Sequence, residues 1–289
     1  MNIQKIYTLA IMALVVMACG GDDEKDVNLP DGRNNKMNIT ASVTPYQEYE
    51  NGRWQNSPVN WTFLNGDVIS IWAISRNQQP SGSGTPYSYT DGKFIAINRG
   101  IEVDGQKQDF YAVMPIVSVS YGEVQFYINA NQSTEDAFWE NDLCTAYEES
   151  NSSYSVHFDF FHRLCCVCVD FLGDDISGHD VKVQLNGIRQ GVACSLKGDD
   201  CYAIGSKVNV KTFCVGKEFY AIVPPQSFYG ETNLVTIVLD GETYQTYFDD
   251  SVILESGTMH YLDITYSANS DSGQSKFVVL SGQINPWEK

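Results

Sequence analysis

Beyond residue 36 the chain is a long succession of short segments with strand-like alternation, separated by turn residues. Ile39, Ala41 and Val43 alternate with polar residues, and Tyr89 and Phe94 flank an Asp-Gly hairpin signal. Aromatic residues make up 12% of the chain and charged residues only 19%, a composition that favours β-sheet over a helix bundle. Many short strands with Gly-rich turns are typical of sandwiches and barrels, so the sequence predicts an all-β fold. The predicted strands are 39–43, 68–74, 109–115, 123–128, 156–160, 164–171, 181–185, 192–196, 208–212, 219–223, 234–239, 243–248, 259–266 and 276–281.

Two places depart from this succession. Residues 133–149 predict a long connection with one helical turn, which Ser133 could open because Asp136 follows three residues later. The alternation of apolar and polar residues also changes phase near His162 and Arg163. This indicates a bend or bulge before the strand 164–171, whose apolar run is typical of a strand buried on both faces. With the domain boundary placed near residue 155, the chain divides into an N-terminal β-sandwich, 37–155, and a C-terminal β-sandwich, 156–289.

The first residues have the pattern of an export signal sequence. Lys5 and the apolar run that follows it predict a signal peptide over 1–18, because the run is too short to span a membrane. Residues 16–19 look like a bacterial lipobox, with Cys19 as the lipid acceptor, although an ordinary signal with an incidental cysteine is the alternative. Residues 19–36 predict an acidic, flexible tether. Its start resembles the export signal that directs lipoproteins to the outside of the outer membrane in Bacteroidales-type bacteria.

The charge and the motif search exclude several classes. The net charge of −18 disfavours nucleic acid and anionic membrane surfaces as partners. The sequence has no nucleophile elbow, P-loop, HExxH or dinucleotide fingerprint, so we expect no enzyme, catalytic residue, cofactor or metal. We expect His162 to be a packed histidine whose ring nitrogens bond the backbone, with catalysis or metal binding as the weaker alternative.

The eight cysteines leave an odd number once Cys19 is assigned to lipid, so at least one thiol is unpaired. The run at 165, 166 and 168 lacks zinc-site spacing and predicts buried, apolar thiols. Cys194 and Cys201 flank a turn at 197–200, and they either close a hairpin disulfide or remain thiols.

Six short motifs appear in the order found in one family, and the resemblance covers roughly residues 37–289. They are Trp61-Thr62-Phe63 leading to Gly66–Ile71, Phe110–Pro115, Asp142-Leu143 with Ala146, Phe158–Leu164, Val223–Gln226 and Ile284–Trp287. Together they resemble the fimbrillin-like, Mfa-like proteins, which are type V pilins of Bacteroidales-type bacteria. The resemblance implies two transthyretin-like β-sandwich domains in tandem. It also implies a lipoprotein that serves as a structural or adhesive subunit of surface fimbriae, with other pilin subunits as partners and the cell outer membrane as its location.

The resemblance further implies assembly by strand exchange after a protease cuts behind an arginine. The matching first strand is 38–44, Arg53 is the cleavage candidate behind it, and Arg33 would release only the tether. A chain that kept its lipidated N-terminus through Arg53 would instead be an anchor or tip component. Ser251, between an Asp and a Val, fits the O-glycosylation pattern of these bacteria.

Two alternatives stay open. The segment 276–287 either closes the C-terminal sandwich, with Ile284 and Trp287 as a plug, or is donated to a neighbouring subunit. The alternative function is a surface-exposed lipoprotein that binds host or bacterial glycans or proteins. In that case Trp54 and Trp139 would be the stacking platforms, whereas Trp72 sits in an apolar run and should be core.

Overall fold

The computed structural model describes residues 37–45, 62–75, 77–102, 106–151, 154–230, 232–248, 251–267 and 276–279. These described residues belong to one compact unit. Nine strands and one short helix come first: β1 (Asn38–Val43), β2 (Val68–Ser75), β3 (Thr85–Thr90), β4 (Lys93–Ala96), β5 (Gln108–Met114), β6 (Val119–Ser120), β7 (Glu123–Tyr127), α1 (Glu135–Trp139), β8 (Cys144–Asn151) and β9 (Ser155–His162).

Eleven further strands follow, and the all-β prediction is confirmed. They are β10 (Cys165–Gly173), β11 (Val181–Ser195), β12 (Cys201–Lys211), β13 (Phe213–Val215), β14 (Glu218–Val223), β15 (Gln226–Phe228), β16 (Thr232–Leu239), β17 (Glu242–Phe248), β18 (Val252–Leu254), β19 (Met259–Ser267) and β20 (Lys276–Val279).

Seven strands from the first part of the chain close on themselves in the order β1-β4-β3-β2-β5-β8-β9. We call this the closed sheet. Its interior is one of two hydrophobic cores and is rich in aromatic side chains, among them Phe63, Phe94, Phe110, Phe158 and Phe160. The closure depends on β1, because β1 joins β4 on one side to β9 on the other.

Two further sheets enclose the second core. One has the order β13-β14-β10-β19-β20, and the other has the order β17-β16-β11-β7-β6 with β12 added on β11. The three thiols of β10 are buried here, as the sequence predicts. Burial raises the pKa of each of them, so they stay protonated and behave as small apolar residues.

The chain passes between the cores later than the expected boundary. β9 pairs with β1 and β8 in the closed sheet, although the sequence interpretation assigned it to the C-terminal sandwich. The change of sheet follows His162, where the phase change predicts a bend. β7, from the earlier half, pairs with β11 around the second core. The division into two domains stays a prediction, but the strands are interleaved across residue 155.

The predicted helical turn exists, but its first residue differs from the prediction. Thr134, rather than Ser133, occupies the N-cap, and its Oγ1 accepts a hydrogen bond from the Ala137 N–H at 3.3 Å. Thr134 has the extended backbone that an N-cap requires.

Candidate assembly site

The strand β1 is held mainly by one neighbour. It runs parallel to β9 over six paired positions, from Asn38 opposite Ser155 to Val43 opposite Phe160. On its other side a single pair, Ile39 with Phe94, connects it to β4. One long and one minimal ladder therefore complete the closed sheet.

The inward face of β1 is small. Ile39 is fully buried, whereas Ala41 and Val43 are only partly covered. Beneath them lies an aromatic floor in which the Phe63 ring packs edge-on against Phe94 at 4.9 Å and against Phe160 at 5.5 Å. Removing β1 would uncover this floor and leave two strand edges unpaired.

The outward face of β1 is polar and exposed. Thr40 Oγ1 lies 2.8 Å from His157 Nδ1, and the Ser42 hydroxyl lies 3.2 Å from His157 Nε2. Ser42 also donates to the Asp159 carboxylate. Exposed side-chain hydrogen bonds of this kind contribute little net stability, because water competes for both partners. The hold on β1 therefore comes mostly from its backbone ladder and Ile39.

The strand β20 lies at the edge of its own sheet. It pairs antiparallel with β19, with Phe277 opposite Tyr266 and Val279 opposite Ile264. These four residues therefore extend the C-terminal sheet, which is the arrangement expected if the segment closes its own sandwich and is not donated to a neighbouring subunit. The remainder of 276–287, including Ile284 and Trp287, lies outside the described residues.

A buried polar cluster joins two of the sequence motifs. His162 Nδ1 lies 2.8 Å from Asp142 Oδ2 and 3.3 Å from Cys144 Sγ, and Cys144 is paired with His162 across β8 and β9. All three side chains are buried. His162 is buried, as predicted. The contacts of its Nδ1 are a carboxylate and a thiol, whereas the prediction named backbone partners.

The cluster contains the ligand types that a metal ion accepts, since one atom from each side chain lies within 4.8 Å of the others. Burial raises the pKa of the Cys144 thiol well above its usual value, with the nearby Asp142 carboxylate adding to the effect. A metal would therefore have to displace a tightly held proton. Among the described residues the cluster offers three ligands, whereas structural zinc sites use four. These groups are better explained as a buried hydrogen-bonded cross-link between strands.

The remaining cysteines are now placed. Cys194 and Cys201 form a disulfide across the β11–β12 hairpin, where they are direct partners, so the first of the two expected alternatives is confirmed. Cys214 is an exposed free thiol, as the odd count allows, while Cys19 lies outside the described residues.

Comparison with protein families decides the identity of the chain. A fimbrillin-like family model matches residues 55–287, which is most of the sequence. The chain belongs to the fimbrillin-like family.

Solved structures share the fold of this fimbrillin-like chain. A proposed cell adhesion protein from Bacteroides ovatus has 16% sequence identity and a TM-score of 0.62, and the match covers 85% of this chain and 95% of that one. Another proposed cell adhesion protein, from Bacteroides uniformis, has 18% identity and a TM-score of 0.60, with coverage of 87% and 99%. A search of curated proteins finds no significant match.

Most of the other predicted site residues of the fimbrillin-like chain cannot be located in the fold. Cys19, Arg33, Arg53 and Trp54 lie outside the described residues. Ser251 is exposed directly before β18. Within the described part of the chain no helix is long and apolar enough to cross a membrane.

The two tryptophans that are described fit a core role better than a surface one. Trp72 is buried, as predicted, and its indole N–H donates to the Ser81 carbonyl at 3.2 Å. Trp139 is partly buried, with its ring 4.9 Å from Phe138. Trp139 is therefore a poor stacking platform, which weakens the glycan-binding alternative at that position.

Proposed function

We propose that this fimbrillin-like chain is a structural and adhesive subunit of cell-surface fimbriae, and that subunits join by exchanging a β-strand. Membership of the fimbrillin-like family supports the fimbrial role. The observation that carries the exchange step is the attachment of β1, which closes a sheet while burying only one side chain completely.

Loss of β1 would create an acceptor groove of the right chemistry. The exposed edges of β9 and β4 offer backbone N–H and C=O groups, and an incoming strand can pair with them. The aromatic floor around Phe63 would bind alternate apolar side chains of the incoming strand, in the positions left by Ile39, Ala41 and Val43. Backbone pairing supplies affinity, and these side-chain contacts supply register and specificity.

Proteolysis after Arg53 is the proposed trigger, because Arg53 follows β1 in the chain and its cleavage would separate that strand from the rest. Arg33 precedes β1, so cleavage there would leave the closed sheet complete. Substituting Arg53→Ala should abolish fibres seen by electron microscopy on the producing bacterium, whereas Arg33→Ala should leave them unchanged. Normal fibres from the Arg53→Ala strain would contradict this trigger.

The segment that begins with β20 is the proposed donor. It is the last strand of its sheet, with β19 as its neighbour, and it follows a polar, Ser-rich segment of the sequence. Phe277 and Val279 are apolar residues two positions apart in the sequence, which is the spacing of Ile39, Ala41 and Val43 in β1. An edge strand on a polar linker can leave its sheet with the loss of a single ladder.

Deleting Lys276–Lys289 tests the donor assignment. We expect a soluble monomer with cooperative melting that no longer joins fibres, because the acceptor groove would remain while the donor is lost. A truncated protein that misfolds or melts without cooperativity would show that the segment belongs to its own domain. A truncated protein that still joins fibres would place the donor elsewhere.

The remaining parts of the proposal concern delivery and architecture. Lipidation at Cys19 would tether the chain to the cell outer membrane, and the acidic segment behind it would direct it to the outer surface. The exposure of Ser251 supports access by a glycosyltransferase. The closed sheet and the two sheets around the second core are the proposed transthyretin-like domains, supported by their separate hydrophobic cores.

A further inference from the structure

The outer face of the sheet around β11 carries an aromatic side chain seated on two glycines. Tyr127 on β7 is paired with Gly191 on β11, and a Cβ added at Gly191 would lie 2.7 Å from its Cε1 atom. A Cβ added at Gly205 on β12 would lie 3.2 Å from the same ring atom. Glycine at both positions lets the ring approach the backbone, and yet Tyr127 remains 54% exposed. The ring is thus positioned by the sheet without being buried in it.

A second tyrosine lies on the same face across β11. Tyr202 on β12 is paired with Ala193, which is two residues beyond Gly191, and it is 52% exposed. Two strand spacings and a two-residue offset place the Cα atoms of Tyr127 and Tyr202 about 12 Å apart. The β11 residues between them have small side chains or none, so nothing on that strand separates the rings. Ile204 of β12 is paired with Gly191 and adds an apolar side chain to the same face.

Polar groups surround this pair of tyrosines. Gln125 lies on the same face of β7, exposed, with its amide donating to the Glu123 carboxylate at 3.2 Å. Arg189 reaches the other end, where its Nη1 donates to the Gly205 carbonyl at 3.0 Å. These bonds fix an amide and a guanidinium beside the rings while leaving further donors and acceptors open to a ligand.

We propose that Tyr127 and Tyr202, with the polar groups around them, form a binding platform for an uncharged oligosaccharide. A sugar ring offers an apolar C–H face to an aromatic ring and hydroxyl groups to amide, guanidinium and phenol groups. This platform supplies both kinds of contact.

Size and charge favour this occupant over others. The exposed surface of two tyrosine rings whose Cα atoms lie about 12 Å apart is far smaller than the roughly 800 Å² that each partner buries in a standard protein interface. The net charge of −18 works against sialylated or sulfated chains. The platform is remote in sequence from β1 and β20, and its function does not depend on strand exchange.

The test uses purified full-length protein in detergent on an array of uncharged, sialylated and sulfated oligosaccharides. We expect retention of uncharged glycans, with at least a tenfold loss of affinity for Tyr127→Ala and for Tyr202→Ala, and near-normal affinity for Tyr127→Phe, which keeps the ring. Tyr247→Ala is the matched control, because Tyr247 is a similarly exposed tyrosine on β17. Melting temperatures verify folding, and Tyr202→Ala preserves the test if loss of the Tyr127 ring destabilises the sheet.

Three results would overturn the proposal. The first is an array with no tyrosine-dependent binding, and the second is a preference for the anionic glycans. The third is a self-association of the chain that Tyr202→Ala abolishes, which would identify the face as a contact between copies. Fibre assembly by Tyr202→Ala should remain normal, so failure of the platform leaves the fimbrial proposal unaffected.

Discussion

His260 makes the stability of the chain sensitive to acid. It lies on β19, beside Val167 of β10, and is buried. Its Nε2 accepts a hydrogen bond from the Glu255 N–H at 2.9 Å and lies 2.6 Å from the Thr258 hydroxyl. Burial lowers the pKa of His260 from 6.5 to about 4.

The sign and size of the effect follow from linkage. The unfolded chain binds the proton at an ordinary pKa of about 6.5, whereas the folded chain resists it until about pH 4. The contribution of the neutral His260 ring to the free energy of unfolding is therefore fully present above pH 6.5, and it is lost as the pH falls toward 4. At about 1.36 kcal/mol per pKa unit, the loss is about 2 kcal/mol by pH 5 and about 3 kcal/mol by pH 4.

Urea denaturation of the full-length protein between pH 8 and pH 4 measures this loss. The His260→Gln variant keeps an acceptor oxygen but cannot titrate, so its free energy of unfolding should fall by about 3 kcal/mol less than that of the wild type over this range. The control is His157→Gln, because His157 lies on the exposed face of β9. Parallel pH curves for the wild type and His260→Gln would refute the reasoning.

Three further predictions concern stability. Ile39→Ala should reduce the free energy of unfolding by about 2–5 kcal/mol, because the Ile39 side chain is fully buried. The control Ile95→Ala, at an exposed site on β4, should change it by less than about 0.5 kcal/mol. Equal losses for the two variants in urea denaturation would contradict the role given to β1. Replacing Cys194 and Cys201 together with Ala opens a loop whose ends are seven positions apart, and should cost about 2.5 kcal/mol, measured as a shift in the urea midpoint; an unchanged midpoint under oxidising conditions would argue against the disulfide. Asp142→Ala removes the carboxylate that contacts the buried His162 ring, so thermal melting should report a loss of about 1–3 kcal/mol, and a neutral result would show that the cluster does not stabilise the fold.

Local patterns predicted many of the strands, because alternation and turn residues act over a few positions. They missed β8 (Cys144–Asn151), which occupies the second half of the predicted connection 133–149. The bend after His162 is an example, since the change of phase there marks the passage of the chain between two sheets. The predicted strands 181–185 and 192–196 are one fifteen-residue strand, β11. Gly187 and Gly191 interrupted the alternation, but the register shifts against β12 accommodate the irregularity without ending the strand.

Long-range pairings could not be predicted from the same patterns. The parallel pairing of β1 with β9 joins residues more than a hundred positions apart, and the sequence carries no local signal for it. The contact between Asp142 and His162 is similar, although each is an ionisable residue in an otherwise apolar motif, a signal that could have suggested a buried partnership. The tyrosine platform was missed because Tyr127 reads as an ordinary strand residue until Gly191 and Gly205 are placed beneath it.

N-terminal mass spectrometry of fibres sheared from the producing bacterium tests the central claim most directly. If β1 is removed before assembly, the subunit in the fibres should begin directly after Arg53, and peptides covering Asn38–Val43 should be absent. An intact, lipidated N-terminus that runs through Arg53 in the same material would contradict the account, and would make this subunit an anchor or tip component.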